Sequence, residues 1–333
     1  MQKNYGIKFT GLGSSLPSKV VKNTDLEKLY DTSDEWIYQR TGIRERRVIK
    51  EPKETGLSLS VRASKQALKS AGLKPQDIDL IIVATSTPDN LYPSMGCMLQ
   101  GELNATDAVS YDLSAACSGF VFSIVTAAQF IYTGTYKNIL VVGVDIHSRF
   151  LDWSERSVSI LFGDGAGAVV MTRTRARDDE LIGYLISSKA DKNLDLILDN
   201  SNISYDSFTK QIKPSFVHMN GKIIYEFGIT IVPEVVNKLL DKVNLKIKDV
   251  DYFIPHQANE RIIQASAKKL GFTERQVISN VEKVGNTSSA SIPLAIADGL
   301  TSKKIKTPCK MILVGFGAGL TWGAVLIDWN IKN

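Results

Sequence analysis

The chain has 333 residues, a net charge of 40 − 35 = +5 and three cysteines, with 44% hydrophobic and 23% charged residues, enough apolar mass for one large domain or two ordinary ones. No Lys/Arg block marks a nucleic-acid stripe, no apolar run approaches a membrane span, and no Cys/His pair has metal-ligand spacing, so nucleic-acid, membrane and metal functions are not expected. Three widely spaced cysteines give no disulfide framework and point to a reducing compartment, while the mild positive balance suits an acidic partner or a phosphate-bearing ligand.

Met1 to Lys22 mixes charges with a short strand and Gly/Ser/Pro turns, without the apolar stretch of a signal peptide or the Arg/Ser bias of a transit peptide. A helical pattern covers Leu59 to Ala71, and a strand-like run covers Ala108 to Leu113. A tight turn of small residues, Ser114-Ala115-Ala116, leads to Cys117, and a helical run follows from Phe120 to Tyr132. That junction puts Cys117 at a helix N-terminus, where the positive end of the dipole favours thiolate and is expected to lower the pKa. Such placement makes a nucleophile without a charged neighbour. Free cysteines are more often small buried hydrophobes, and position alone leaves both roles open. Ile139 to Val144 is strand-length, and Gly163-Asp164-Gly165-Ala166-Gly167 reads as a tight turn between strands. Thr174 to Met219, with Asp191, Asn193, Asn200 and Asn202, is polar and irregular and reads as a link with surface loops.

Further on, Ile231 to Val243 is helical, and His256 follows the strand Asp251 to Ile254 in Pro255-His256-Gln257-Ala258-Asn259. The C-terminal edge of a strand is where α/β proteins place ligand and catalytic groups, although a lone histidine there is also a cap or core residue. A helix runs from about Glu260 to Leu270, with Gly271 as its stop. Asn286 lies in Gly285-Asn286-Thr287-Ser288-Ser289-Ala290-Ser291, before the helical run Ile292 to Leu300, as a turn residue or as an amide donor aimed into a pocket. Gly315-Phe316-Gly317-Ala318-Gly319 reads as a second tight turn and offers a backbone N–H to an oxyanion. Neither glycine cluster has the context of a phosphate loop or a dinucleotide site.

The chain repeats itself. Leu73 to Ile82 aligns on Leu245 to Ile254 with five of ten positions identical at an offset of 172, and Lys137-Asn-Ile-Leu-Val141 matches Lys310-Met-Ile-Leu-Val314 at 173. Two matches at nearly one offset indicate an internal duplication. Alternating helices and buried strands give a layered α/β fold of two similar halves about a pseudo-twofold axis: residues 1–173 with Cys117, and 174–333 with the linking loops, His256 and Asn286.

Together these segments resemble the β-ketoacyl-acyl-carrier-protein synthase III family of thiolase-fold condensing enzymes over nearly the whole chain. The resemblance rests on Thr32-Ser-Asp-Glu-Trp36, Arg40-Thr-Gly-Ile-Arg44-Glu-Arg46, Asp112-Leu-Ser-Ala-Ala-Cys117-Ser-Gly-Phe120, Phe162-Gly-Asp-Gly-Ala-Gly167, Pro255-His-Gln-Ala-Asn259, Gly285-Asn-Thr-Ser288 and Phe316-Gly-Ala-Gly-Leu-Thr-Trp-Gly323, in that order and spacing. It implies a thiolase-like α-β-α-β-α fold and a catalytic triad of Cys117, His256 and Asn286, with the backbone N–H groups of Cys117 and Ala318 as oxyanion donors. It implies no cofactor, acyl-CoA being a substrate. The implied reaction joins an acyl-CoA primer, acetyl-CoA by default, to malonyl-acyl-carrier protein with loss of CO₂, initiating type II fatty acid synthesis.

The resemblance further implies that Trp36 and Arg156 sandwich the CoA adenine and that Arg40 and Thr32 reach its nucleotide end. Gln257, Arg261, Lys268 and Lys269 would meet the carrier protein, and Tyr92 would cross a homodimer interface to close the partner's acyl pocket. Tyr92 stands where relatives often have Phe, Ala318 replaces a frequent glycine, and Glu226 falls where some relatives are basic. Elongating condensing enzymes use a second histidine where this chain has Asn286, and a 3-hydroxy-3-methylglutaryl-type synthase needs a glutamate base near Cys117. Starter-unit acyltransferases or condensing enzymes of secondary metabolism share the same triad and remain as the alternative. A non-catalytic carrier-binding partner would usually have lost the nucleophile. The expected location is a bacterial cytoplasm, or a plastid stroma for a plastid-encoded protein.

Overall fold

A computed structural model of the chain describes residues 4–50, 52–198 and 215–331; Asn200 and Asn202 lie outside them. In chain order the strands are β1 (Tyr5–Ser15), β2 (Lys19–Lys22), β3 (Glu45–Val48), β4 (Leu80–Ala84), β5 (Val109–Leu113), β6 (Asn138–Ile146), β7 (Asp164–Arg175), β8 (Leu181–Ser188), β9 (Leu196–Leu198), β10 (Val217–Met219), β11 (Tyr252–Pro255), β12 (Cys309–Gly317) and β13 (Thr321–Trp329). The helices are α1 (Asn23–Leu26), α2 (Asp34–Thr41), α3 (Gly56–Ala71), α4 (Met95–Leu103), α5 (Gly119–Thr133), α6 (Arg156–Ser159), α7 (Gly221–Lys242), α8 (Glu260–Leu270), α9 (Val281–Val284) and α10 (Ser291–Thr301).

The two main sheets have matching strand orders, β1-β7-β6-β4-β5 and β8-β13-β12-β11. Directions match as well: β4 and β11 run parallel to β6 and β12, which pair antiparallel with β7 and β13. The place of β5 is taken in the second sheet by a single parallel bridge, Phe253 to Val277. The aspartates shared by the two repeats do the same work in each. Asp77 and Asp249 accept the backbone N–H of Lys74 and Lys246 at 2.7 and 2.8 Å, closing the turn before the buried strand. Asp79 and Asp251 accept the N–H of Lys137 and Lys310, both at 2.7 Å, and so tie that turn to the start of the next strand.

Five layers follow from which helix faces are apolar. α5, GFVFSIVTAAQFIYT, is apolar nearly all round because it lies between the sheets, and α10 shares that central layer. α3 buries Leu59, Ala63, Ala67 and Leu68 on the outer face of the first sheet, while α7 and α8 cover the second. A fourth apolar cluster, including Ile37, Leu161, Phe162 and Ile263, roofs the end of the sheets where β5 and β11 stop. No helix among the described residues is long and apolar enough to cross a membrane.

Two expectations need correction. The first Gly-rich segment is mainly strand, with Gly165 and Gly167 in β7; in the second, Gly315 and Gly317 end β12 and only residues 318–320 form the turn to β13. Their glycines permit close approach; a Cβ on Gly167 would stand 2.6 Å from Pro293 and one on Gly315 would stand 2.8 Å from the Ser118 Cα. The polar stretch after residue 174 is also more than a link, because β8 is an edge strand of the second sheet.

Candidate active site

Cys117 sits where the sequence placed it, between β5 and α5, but at depth. Its side chain is buried, and Ala116 before it takes φ +46°, a left-handed backbone that turns the sulfur toward the second half. The Ser288 hydroxyl donates to Sγ at 3.3 Å. Burial pushes the thiol up to about 12, and the Ser288 bond opposes this only in part. The lowered pKa expected from the helix end is therefore not found; desolvation wins, and Cys117 rests as a thiol.

His256 caps the end of β11, its backbone N–H bound to Val314 O at 2.7 Å. Its Nδ1 lies 2.7 Å from Ser291 Oγ, and Phe316 stands edge-on to the ring at 5.3 Å. Nε2 is buried with no hydrogen-bond partner among the described residues. Burial, with the nearby His147 adding to it, holds the imidazole down to about 3, so the ring is neutral. Asn286 is fixed at both backbone groups: its N–H donates to Leu161 O at 2.8 Å and its carbonyl accepts from Gly163 N–H at 2.9 Å. Its Oδ1 accepts the Ser288 N–H at 2.8 Å, which leaves the amide NH₂ as the free end.

One cavity of about 470 Å³ joins these groups. Cys117, His256 and Asn286 line it, as do Trp36, Arg40 and Arg261. A neutral sulfur, a neutral imidazole and an amide carry no fixed charge, so the site suits the transient anions of thioester chemistry.

Other expected residues sort differently. Arg156 lies on Trp36 with Cζ 4.5 Å from the ring centroid, and Arg40 lies 5.5 Å from it. A ring entering between Trp36 and Arg156 has to part them. Thr32 is half-buried, its Oγ1 without a partner among the described residues. Arg261, Lys268 and Lys269 are exposed on α8. Gln257 is not available to a carrier protein: it is fully buried, donates to Pro255 O at 2.6 Å and accepts the Asn280 N–H at 3.0 Å. Tyr92 is 87% exposed and does not line this chain's cavity. Ala318 follows Gly317, which touches the nucleophile directly.

The sequence does not announce the residues that hold Cys117, His256 and Asn286 in place. Asp145, fully buried on β6, accepts the Ser289 N–H and hydroxyl at 3.0 and 2.7 Å and the Ser86 N–H at 2.7 Å, so it ties the Asn286 loop to the first half. Arg46, also fully buried, donates to Ile160 O at 2.7 Å and braces the segment that binds Asn286; burial lowers its pKa to about 10. His147 stacks on Phe162 at 4.5 Å. Arg46 lies in the motif from Arg40 to Arg46, but its bracing of this segment depends on Ile160, 114 residues away.

A Cβ on Gly317 would stand 2.9 Å from Cys117 Cβ and 3.0 Å from its N. Gly317→Ala is therefore expected to displace the nucleophile and slow acylation of Cys117 by roughly 10²-fold, read by stopped-flow acylation. An unchanged rate would contradict the close approach.

The buried groups also set a stability profile. Unfolded histidine titrates near 6.5, so from about 6.5 down to about 3 the unfolded chain binds a proton at His256 that the folded chain does not, and stability falls with pH. Cys117 and Cys309, both held up to about 12, act on the alkaline side, where unfolded thiols ionise first and stability falls as pH rises from about 9. Thermal melts at constant ionic strength are expected to show a plateau from about pH 7 to about 8.5 with losses on both sides.

With that geometry in place, comparison with known proteins decides the family. The family description 3-oxoacyl-[acyl-carrier-protein (ACP)] synthase III matches residues 111–190, and its C-terminal counterpart matches residues 240–329. The β-ketoacyl-[acyl-carrier-protein] synthase III of Trichormus variabilis is 46% identical, covering 98% of this chain and 99% of that protein. The chain belongs to the β-ketoacyl-acyl-carrier-protein synthase III family. The Bacillus anthracis protein named β-ketoacyl-[acyl-carrier-protein] synthase III 1 is 44% identical, with 98% and 99% covered. The crystal structure of the Aquifex aeolicus 3-oxoacyl-[acyl-carrier-protein] synthase III superposes with a TM-score of 0.90 at 41% identity, covering 97% of this chain and 100% of that one. The thiolase-like layered fold of the family is that of this chain, and so is its chemistry, a decarboxylative Claisen condensation by an acyltransferase.

Proposed function

We propose that Cys117, His256 and Asn286 carry out that condensation on an acyl-CoA primer, acetyl-CoA by default, and malonyl-acyl-carrier protein, releasing the 3-oxoacyl-carrier protein that starts fatty acid synthesis. The observation that carries the assignment is the one cavity that Cys117, His256 and Asn286 line together.

Cys117 attacks the primer thioester, its thiol proton leaves on the CoA sulfur, and the acyl group stays on Sγ. The N–H groups of Cys117 and Ala318 hold the oxyanion. Malonyl-carrier protein then enters, and His256 and Asn286 donate to its thioester carbonyl. Loss of CO₂ leaves an enolate stabilised by those donors, and its carbon attacks the acyl-Cys117 carbonyl. The C–S bond breaks and the Cys117 thiolate recovers a proton from solvent. Because decarboxylation supplies the carbanion, no carboxylate base is needed.

Trp36, Arg40, Arg156 and Thr32 serve the nucleotide end of CoA; Arg261, Lys268 and Lys269 meet the acidic carrier. A second copy of the chain pairs at β5, the edge strand of its sheet among the described residues, where Val109 is 49% exposed, and receives Tyr92 at its primer pocket. The division into halves at 173/174 and a bacterial cytoplasmic or plastid-stromal location belong to the same proposal.

The test combines purified protein, acetyl-CoA and malonyl-carrier protein, with one CO₂ expected per 3-oxoacyl product. A second reading, a starter-unit enzyme of secondary metabolism, draws on the priming β-ketosynthase of the R1128 polyketide pathway, which is 32% identical with a TM-score of 0.91 over 100% of this chain and 99% of that one. Acyl transfer to another acceptor without CO₂, or a marked preference for longer primers, would favour it.

A further inference from the structure

The mechanism needs His256 to donate from Nε2, and a neutral imidazole carries its proton on one nitrogen only. Which nitrogen holds it is decided by the partner of the other. We propose that Ser291 is a positioning residue that fixes His256 as the Nε2–H tautomer, making it a hydrogen-bond donor to the substrate rather than a base for Cys117. The inference rests on the donor role given to His256 above.

The argument is an accounting of one hydroxyl proton. Ser291 is the first residue of α10 and fully buried. Its Oγ lies 2.7 Å from His256 Nδ1, itself on a nearly buried ring. Hydroxyls deeper in helices return to the carbonyl four residues back, as Ser60 does to Gly56 O and Thr126 to Phe122 O, both at 2.8 Å. Ser291 begins its helix and makes no such bond among the described residues. Its proton therefore has one acceptor, the Nδ1 lone pair; donating nothing would leave a buried O–H unsatisfied. With Nδ1 accepting, the ring proton sits on Nε2, which is buried with no partner among the described residues, on a side chain that lines the cavity.

The opposite tautomer fails because, with Nδ1–H donating to Oγ, the buried Ser291 hydroxyl has no acceptor among the described residues. Nor is a base role built in at Nε2: the Cys117 sulfur accepts from the Ser288 hydroxyl at 3.3 Å, and no hydrogen bond links it to His256 among the described residues. The ring is held for this role from its other sides as well, by the backbone bond to Val314 O at 2.7 Å and by the edge of Phe316 at 5.3 Å.

The test has two readouts. Nitrogen-15 NMR of histidine-labelled protein reports the tautomer directly, and three histidines keep the spectrum assignable with His256→Ala as the reference. The wild type is expected to show a protonated Nε2 and an unprotonated, hydrogen-bonded Nδ1. In single-turnover kinetics, Ser291→Ala is expected to slow malonyl decarboxylation roughly 10²-fold while acylation of Cys117 stays near wild type, and Ser291→Thr, which keeps the hydroxyl, is expected to restore most of the rate. A wild-type Nδ1–H tautomer overturns the proposal, as does a Ser291→Ala protein in which both half-reactions are unchanged or fall together. If His256→Ala itself decarboxylates malonyl-carrier protein at the wild-type rate, the donor role of His256 fails instead, whatever the tautomer.

Discussion

Cys117→Ser will take up no measurable acyl group from acetyl-CoA and will condense at least ~10³-fold more slowly than the wild type, while its fold and its carrier-protein affinity stay intact. The substitution changes one atom in a site whose shape is set elsewhere. The turn that presents residue 117 depends on Ala116 at φ +46° and on the close approach of Gly317, and neither is altered. What is lost is nucleophilicity. The thiol is held up to about 12 by burial, and a hydroxyl in the same pocket is harder still to ionise. The measurement pairs intact-protein mass spectrometry after acetyl-CoA with a binding titration of the carrier protein. Product formation at the wild-type rate by this variant would remove Cys117 from the mechanism.

His256→Ala and Asn286→Ala should separate the two half-reactions. Each is expected to leave acylation of Cys117 within a few-fold of wild type and to slow decarboxylation of malonyl-carrier protein roughly 10²- to 10³-fold. The reason is positional. His256 Nε2 has no partner among the described residues, and the Asn286 Oδ1 is taken up by the Ser288 N–H at 2.8 Å, which leaves its NH₂ to donate. Both donors serve one developing enolate oxygen, so the double variant should lose much less than the product of the two single losses. Single-turnover CO₂ release on the pre-acylated enzyme reads this directly. Equal loss of both half-reactions would instead make His256 a partner of the Cys117 thiol.

Cys117 and His256 were legible as candidates because each follows a strand end, whereas Asn286 follows the short helix α9 and was legible only from its Gly-Asn-Thr-Ser context. The duplication was legible because Asp77 and Asp249, and Asp79 and Asp251, make the same backbone hydrogen bonds in the two halves. What escaped the sequence is whatever depends on depth or distance. The helix end beside Cys117 argues for an ionised sulfur, but the layers that bury it are assembled from both halves, and burial reverses the sign. Gln257 shares a motif with His256, yet it faces inward to the backbone of Pro255 and Asn280, which adjacency in sequence does not reveal. Gly315 and Gly317 have turn composition, but their missing Cβ atoms make room for Ser118 and Cys117 across the interface between halves. Asp145 and Ser289 are 144 residues apart, and no local pattern announces their bond.

The most direct test of the central claim is peptide-level mass spectrometry of the purified protein after acetyl-CoA, repeated after malonyl-carrier protein is added. A single acetyl group on the Cys117 peptide, discharged with release of CO₂ and formation of 3-oxoacyl-carrier protein, is the predicted result. An acyl group on any other residue, or one on Cys117 that malonyl-carrier protein does not discharge, would contradict it.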